Sequence, residues 1–212
     1  MKNKGKILLL LSTLFVLSTS LVNKDKGPKP LKVGKSAPMA DLEMKNTDGT
    51  SATLKSSLGE NGLLVIFSCN TCPFVVGSDK FAGWEVQYND LNKMALEGKI
   101  NTVLVNSNEA KREKDDSMDA MKLRAKDKAY EMAYLLDHDS KLANAFGAKT
   151  TPHVYLFNKD LKLVYMGAID NSWDAQRKND VNYLKNALTE LAGNSKISVK
   201  SSDPRGCSIK RK

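Results

Sequence analysis

Gly62-Leu-Leu-Val-Ile-Phe-Ser-Cys-Asn-Thr-Cys-Pro-Phe74 is the stretch whose reading decides the fold. Leu63 through Phe67 are apolar without alternation, the pattern of a strand buried on both faces at the centre of a sheet. Beyond Cys72 and Pro73, the residues Phe74, Phe81, Trp84, Tyr88, Leu91 and Ala95, with Gly77 filling one step, recur at spacings of three and four. That period predicts one long amphipathic helix. Cys69-Asn-Thr-Cys72 therefore sits where a central strand hands over to a helix, and this setting makes an otherwise common C-x-x-C informative.

At a helix N-terminus, unpaired backbone N–H groups and the positive end of the helix dipole favour thiolate over thiol. The first sulfur, Cys69, is assigned the attack. Cys72, one turn on, is assigned the resolution of a mixed disulfide by thiol–disulfide exchange. Pro73 suits an early helical position, where a missing N–H costs little. Asn70 and Thr71 are expected to tune the pair through dipoles and hydrogen bonds.

Working outward, Gly98 ends the helix and residues 100–105 read as the next strand, a strand-helix-strand unit. Residues 106–116 are polar and charged and read as a surface loop. Met118, Met121, Ala125, Ala129 and Met132 form a helical stripe that belongs to a core rather than to a metal site. Asp139 or Ser140 can cap a short helix carrying Leu142, Ala143 and Phe146, which Gly147 stops. Residues 154–157 and 161–165, joined by Asn158-Lys-Asp160, read as an antiparallel hairpin. Val181, Leu184, Leu188 and Leu191 mark a last helix. Upstream, residues 42–44 and 51–54 flank the turn-forming Asn46-Thr-Asp-Gly49 as another hairpin. The expected order is hairpin, β, α, β, α, α, β, β, α, an α/β chain with one domain in 212 residues.

The ends differ from the middle. Residues 1–22 open with four basic or small positions around Lys2, Lys4 and Lys6, continue through an apolar run from Ile7 to Leu17, and close on Ser18-Thr-Ser20. This is the layout of a secretory signal peptide, and the run is shorter than the about 20 residues a membrane span needs. Residues 23–30 read as a linker, 31–193 as the domain and 194–212 as a basic tail. Of the net charge of +9, residues 1–35 carry +7 and residues 196–212 carry +5, so the folded middle stands at −3. A nucleic-acid binder would place its cations on an ordered face, so that class is set aside. The three cysteines are too few for a disulfide scaffold, and the odd count leaves one thiol over.

Three segments carry a family resemblance: Val33-Gly-Lys-Ser-Ala-Pro38, the strand and cysteine pair of residues 63–74, and Phe146-Gly-Ala-Lys-Thr-Thr-Pro-His-Val-Tyr-Leu-Phe157. Over roughly residues 31–192 the chain resembles the thioredoxin-like superfamily, and within it the redoxin-type exported proteins. The resemblance implies a three-layer α/β/α fold with a central mixed sheet, extended here by the N-terminal hairpin. It also implies a cis bond at Thr151-Pro152, in a loop that packs on the redox pair and receives substrate backbone. Departures from thioredoxin are Ser68 in place of the usual Trp, and Asn-Thr in place of Gly-Pro between the cysteines. No residue is matched to the buried acid that assists proton transfer there. Val65 and Ser68 stand where a peroxiredoxin pocket would need Pro and Thr, so peroxidase activity is not expected.

The expectation is an exported, periplasmic or otherwise extracytoplasmic thiol–disulfide oxidoreductase, more reductase than oxidase and without organic cofactor. Its partners would be a disulfide-containing protein and a thiol protein that supplies or accepts electrons. The alternative is a copper-binding module using Cys69, Cys72 and His153, since soft thiolates favour Cu(I). A plainer place for His153 is surface or loop packing. A structural zinc site would need about four ligands, which only the three cysteines and one histidine could supply. His138, between two aspartates, reads as solvated. Cys207, in Gly206-Cys-Ser-Ile209, is either a third exchange partner folding back on the pair or a spare thiol.

Overall fold

The computed structural model describes residues 28–212. The signal segment 1–22 and most of the linker 23–30 lie outside the described residues. No described helix is long and apolar enough to cross a membrane.

The hairpin is β1 (Met44–Asn46) and β2 (Ser51–Ala52), and β3 (Gly62–Ser68) follows as the central strand. After the cysteines come α1 (Pro73–Val76), α2 (Tyr88–Glu97), β4 (Ile100–Asn106) and α3 (Met118–Asp127). The second half supplies β5 (Ala133–Leu136), α4 (Lys141–Phe146), β6 (Thr150–Thr151), β7 (His153–Asn158), β8 (Leu163–Gly167), α5 (Tyr183–Ala192) and β9 (Cys207–Ser208). Seven strands make one mixed sheet in the order β2-β1-β5-β4-β3-β7-β8, and β6 pairs with β9 apart from it. β3 is parallel to β4 and antiparallel to β7, which pairs Phe67 with His153.

Every residue of β3 is buried, as its unbroken apolar run requires. Its alternate side chains feed two cores. Leu64 and Ile66 meet Tyr88, Leu91 and Ala95 of α2, Met121 of α3, and Leu184 and Leu188 of α5. Leu63, Val65 and Phe67 meet Leu142, Ala143 and Phe146 of α4, with Leu54 and Met44 from the N-terminal segment. The result is the expected α/β/α layering, with a thin second layer built from α4 and irregular chain.

Five expectations are corrected. The single long helix is broken: α1 ends after one turn, and the chain restarts as a 3-10 turn over Trp84–Gln87 before α2. Gly77 and Gly83 hold φ of 97° and 79°, values that L side chains rarely adopt. A Cβ on Gly83 would lie 2.4 Å from the Val75 carbonyl oxygen, so two glycines pinch the loop shut where the period of three and four saw continuity. β5 was absent from the predicted order, because this strand of four residues directly follows a helical stripe whose later members, Ala129 and Met132, lie past the end of α3. Ser140 takes the N-cap position of α4 but its side chain caps nothing; the N–H groups of Leu142 and Ala143 donate to the Asp137 carboxylate at 2.9 Å each. Asp139 and Ser140 instead hold left-handed backbone ahead of the helix. The supposed surface loop 106–116 buries Asn106, Ser107, Asn108, Glu109 and Asp116.

The fifth correction concerns the basic end. It is packed rather than loose: Ile197 and Ile209 are buried, and the Ile209 N–H donates to the Lys149 carbonyl at 3.0 Å. Arg211 donates to Asn144 Oδ1 and to the Ala148 carbonyl, each at 2.6 Å.

Candidate active site

The two sulfurs lie where β3 ends. Cys72 is the N-cap residue of α1, with Pro73 at the first helical position, and both cysteines are nearly sealed, at 2% and 3% exposure. The Thr151-Pro152 bond is cis. Thr151 contacts both sulfurs: Cys69 Sγ is 3.1 Å from Thr151 Oγ1, and the Cys72 thiol donates to the Thr151 carbonyl at 3.0 Å. Thr151 and Pro152 are both buried against the pair.

Asn70 is fixed at three atoms. Its N–H donates to Asp116 Oδ1 at 2.9 Å, its side-chain amide donates to the Asp115 carbonyl at 2.8 Å, and its Oδ1 accepts from the Tyr134 hydroxyl at 2.9 Å. Thr71 is exposed, and its contribution is its backbone N–H toward Cys69. Asp116 was missed by sequence reasoning. It is fully buried and also accepts from the side-chain amides of Asn106 and Asn108, at 2.7 and 3.0 Å. Nothing in Lys114-Asp-Asp-Ser117 distinguishes it from a solvated charge, since its burial depends on amides eight and ten positions upstream and on Asn70. Ser68 and Tyr88, 3.0 Å apart through their hydroxyls, close the floor beside the pair.

Each thiol of the pair bears on the acidity of the other. Cys72 is lowered to about 5, chiefly because the Cys69 thiol donates to its thiolate. Burial opposes this, while the Cys207 thiol, the Cys207 N–H and the Phe74 N–H add to it. Once Cys72 is ionised it has no proton to give the Thr151 carbonyl, so that hydrogen bond belongs to the thiol form. Cys69 is raised well above the ordinary thiol value because its proton is held by Cys72, with burial and the Asp116 charge acting in the same direction. The N–H groups of Val75 and Val76 at the start of α1 donate to the Cys72 carbonyl, at 2.7 and 2.8 Å, and not to its sulfur.

Cys207 is half-buried in β9 and folds back on the pair, its N–H donating to Cys72 Sγ at 3.3 Å. His153 does not join the sulfurs. It is 1% exposed within β7, so neither surface placement nor loop packing describes it. Its register partner is Phe67, and its ring lies tilted, 4.6 Å from that of Tyr155, on the face of the sheet opposite the two cysteines. The Cys69, Cys72 and His153 ligand set is therefore not assembled, and the copper reading that used it loses its third ligand. His138 is exposed, as expected, with Nδ1 3.0 Å from Asp139. Beside the pair, a groove of about 450 Å³ is lined by Asn70, Thr71, Asp115, Leu123 and Arg124, and Leu123 in it is 69% exposed.

Comparison with known proteins places this arrangement. An uncharacterized conserved protein from Geobacillus kaustophilus is 30% identical, with a TM-score of 0.75 over 85% of this chain and 93% of its own. A hypothetical protein from Sinorhizobium meliloti 1021 is 25% identical, with a TM-score of 0.72 over 87% of this chain and 97% of its own. The peroxidoxin BcpB of Mycobacterium tuberculosis shares the fold at 14% identity, with a TM-score of 0.56 over 77% of this chain and 97% of its own. No protein of curated function matches. The Redoxin family matches residues 32–188, nearly the whole α/β domain with both cysteines and the cis proline inside it. The chain belongs to the Redoxin family, thiol-based oxidoreductases on a thioredoxin-like fold.

Proposed function

We propose that the protein is a dithiol oxidoreductase that exchanges electrons with protein disulfides through Cys69 and Cys72. The observation that carries this reading is the convergence of two sealed sulfurs on one residue, Cys69 Sγ 3.1 Å from the Thr151 hydroxyl and Cys72 Sγ 3.0 Å from the Thr151 carbonyl. A thiolate at Cys72 attacks a partner disulfide, forming a mixed disulfide and releasing the partner's thiolate. Cys69 then attacks the Cys72 sulfur, which closes the Cys69–Cys72 disulfide and frees the second partner sulfur. Two electrons pass to the partner, and a thiol protein returns them. The groove beside Asn70 and Thr71 suits the partner chain, with Leu123 as its apolar contact. The basic and apolar opening of residues 1–22 supports action outside the cytoplasm.

The sequence alone favoured net reduction. A Cys72 acidity of about 5 moves the balance, because stabilising the reduced form makes the disulfide a stronger oxidant. Equilibration with glutathione should accordingly give a potential between about −270 and about −120 mV. Absence of any reversible Cys69–Cys72 disulfide across that range would end the proposal.

A further inference from the structure

We propose that Cys207 is a third redox residue, held by the C-terminal segment against Cys72 so that the disulfide passes between the Cys69/Cys72 pair and the chain's own end. This rests on the dithiol reading above and adds an internal partner to it.

The placement of Cys207 is built, not incidental. β9 pairs antiparallel with β6, putting Cys207 opposite Thr151, the residue that touches both other sulfurs. Gly206 comes so close that a Cβ there would lie 2.2 Å from the Thr151 carbonyl oxygen, so only glycine allows the segment to seat. Upstream, the Arg205 guanidinium lies over the rings of Trp173 and Phe74, at 4.4 and 5.7 Å. Downstream, the Lys210 N–H donates to Asn108 Oδ1 at 2.9 Å and the Lys210 carbonyl accepts from the Ala110 N–H at 2.8 Å. Anchors on both sides thus fix a cysteine that would need none of them to serve as filler.

Accessibility points the same way. Cys69 and Cys72 are sealed, whereas Cys207 is half-buried and is the sulfur a solvent-borne thiol meets first. In the reduced protein Cys207 stays a thiol: burial, and the Cys72 thiolate beside it, raise it to about 11. Oxidation of Cys72 removes that thiolate and its share of the effect.

The exchange balances without an outside oxidant. The Cys207 thiolate attacks the Cys72 sulfur of a Cys69–Cys72 disulfide. The Cys69–Cys72 bond breaks as the Cys72–Cys207 bond forms, and Cys69 leaves as a thiolate that takes up the proton Cys207 gave up. A dithiol donor then attacks the Cys207 sulfur, expelling Cys72 as the stabilised thiolate, a fast leaving group because its acidity is high. The donor's second thiol closes the donor disulfide and returns Cys207 as a thiol, so two electrons have entered the protein.

Two measurements on the full chain test this. The Cys69→Ser variant, oxidised with a stoichiometric disulfide reagent and mapped by non-reducing peptide mass spectrometry, should carry an intramolecular Cys72–Cys207 disulfide as its main product. Recovery of Cys72 only as a reagent adduct or an intermolecular dimer overturns the proposal. Oxidised Cys207→Ser, which loses the relay while keeping the packed segment, should be reduced by dithiothreitol about tenfold more slowly than the unsubstituted protein. An equal or faster rate overturns the relay. The unsubstituted chain serves as the separating control: failure to form a Cys69–Cys72 disulfide there sinks the dithiol reading, whatever Cys207 does.

Discussion

β3 sends Leu64, Ile66 and Ser68 to one face of the sheet and Leu63, Val65 and Phe67 to the other, and the two faces are furnished differently. On the first, the apolar core gives way near the strand's end to hydroxyls, a buried carboxylate and the two sulfurs. On the second, Phe67, Phe146, Tyr155 and Phe157 meet edge to face at 5.0 to 5.6 Å, with the His153 ring closed in among them. Aromatic contacts of this kind add stability but leave no room to move a proton. One face tunes thiols and the other braces the frame, and the two-residue period of a strand keeps them apart.

The largest effect expected from that division is in exchange activity. Cys72→Ser should lower reduction of a protein disulfide by at least about a thousandfold, because a hydroxyl supplies no comparable nucleophile at neutral pH. His153→Asn should stay within about threefold in the same assay, since its side chain lies across the sheet. A comparable loss from both would break the comparison.

Next in size is a stability effect on the bracing face. Phe146→Ala should cost about 3–5 kcal/mol in urea unfolding. The pH midpoint for alkylation of Cys72 should not move, and a shift in it would show that the faces are coupled through β3.

Smaller over any one pH unit is a pH effect from His153. Burial, and then the Lys149 charge, lower its imidazole to about 3 from an ordinary 6.5. Between those values the unfolded chain binds the proton and the folded chain does not. Stability is therefore full above about pH 6.5 and is lost as pH falls toward 3, at up to about 1.4 kcal/mol per pH unit from this group. Urea titrations across that window should show this component in the unsubstituted protein and lack it in His153→Asn. The smallest effect belongs to Thr71→Ala, within about twofold in exchange rate, because the exposed residue acts through its backbone N–H.

What the sequence disclosed follows from which forces are local. An unbroken apolar run announced β3, and turn residues announced the hairpin of β7 and β8. The cysteine pair at a strand-to-helix junction, with Thr151-Pro152 before a strand, announced the class of the fold and the heart of the site. Hidden features were those in which tertiary contacts overrule a local pattern. The period over residues 74–95 reads through Gly77 and Gly83, because a glycine filling one helical step looks the same as a glycine turning the chain. Asp116 and the loop 106–116 looked solvated because charge predicts exposure unless its hydrogen-bond partners are known, and those came from β3, β4 and β5. The contact of Cys207 with Cys72 was hidden because it joins the cysteine pair to a residue at the far end of the chain.

That last contact bears on how the molecule is made. Cys69 reaches Thr151 across 82 residues, Asn70 reaches Asp116 across 46, and Cys72 reaches Cys207 across 135. Pairings so distant in sequence carry their loop-closure cost before any contact rewards it, and folds dominated by them form slowly. The two sulfurs are thus unsheltered while helices and hairpins are already in place. In an oxidising compartment, the shuttling of disulfides among three cysteines in the newborn chain becomes a race between oxidant and sheet closure, decided by how soon β7 docks on β3.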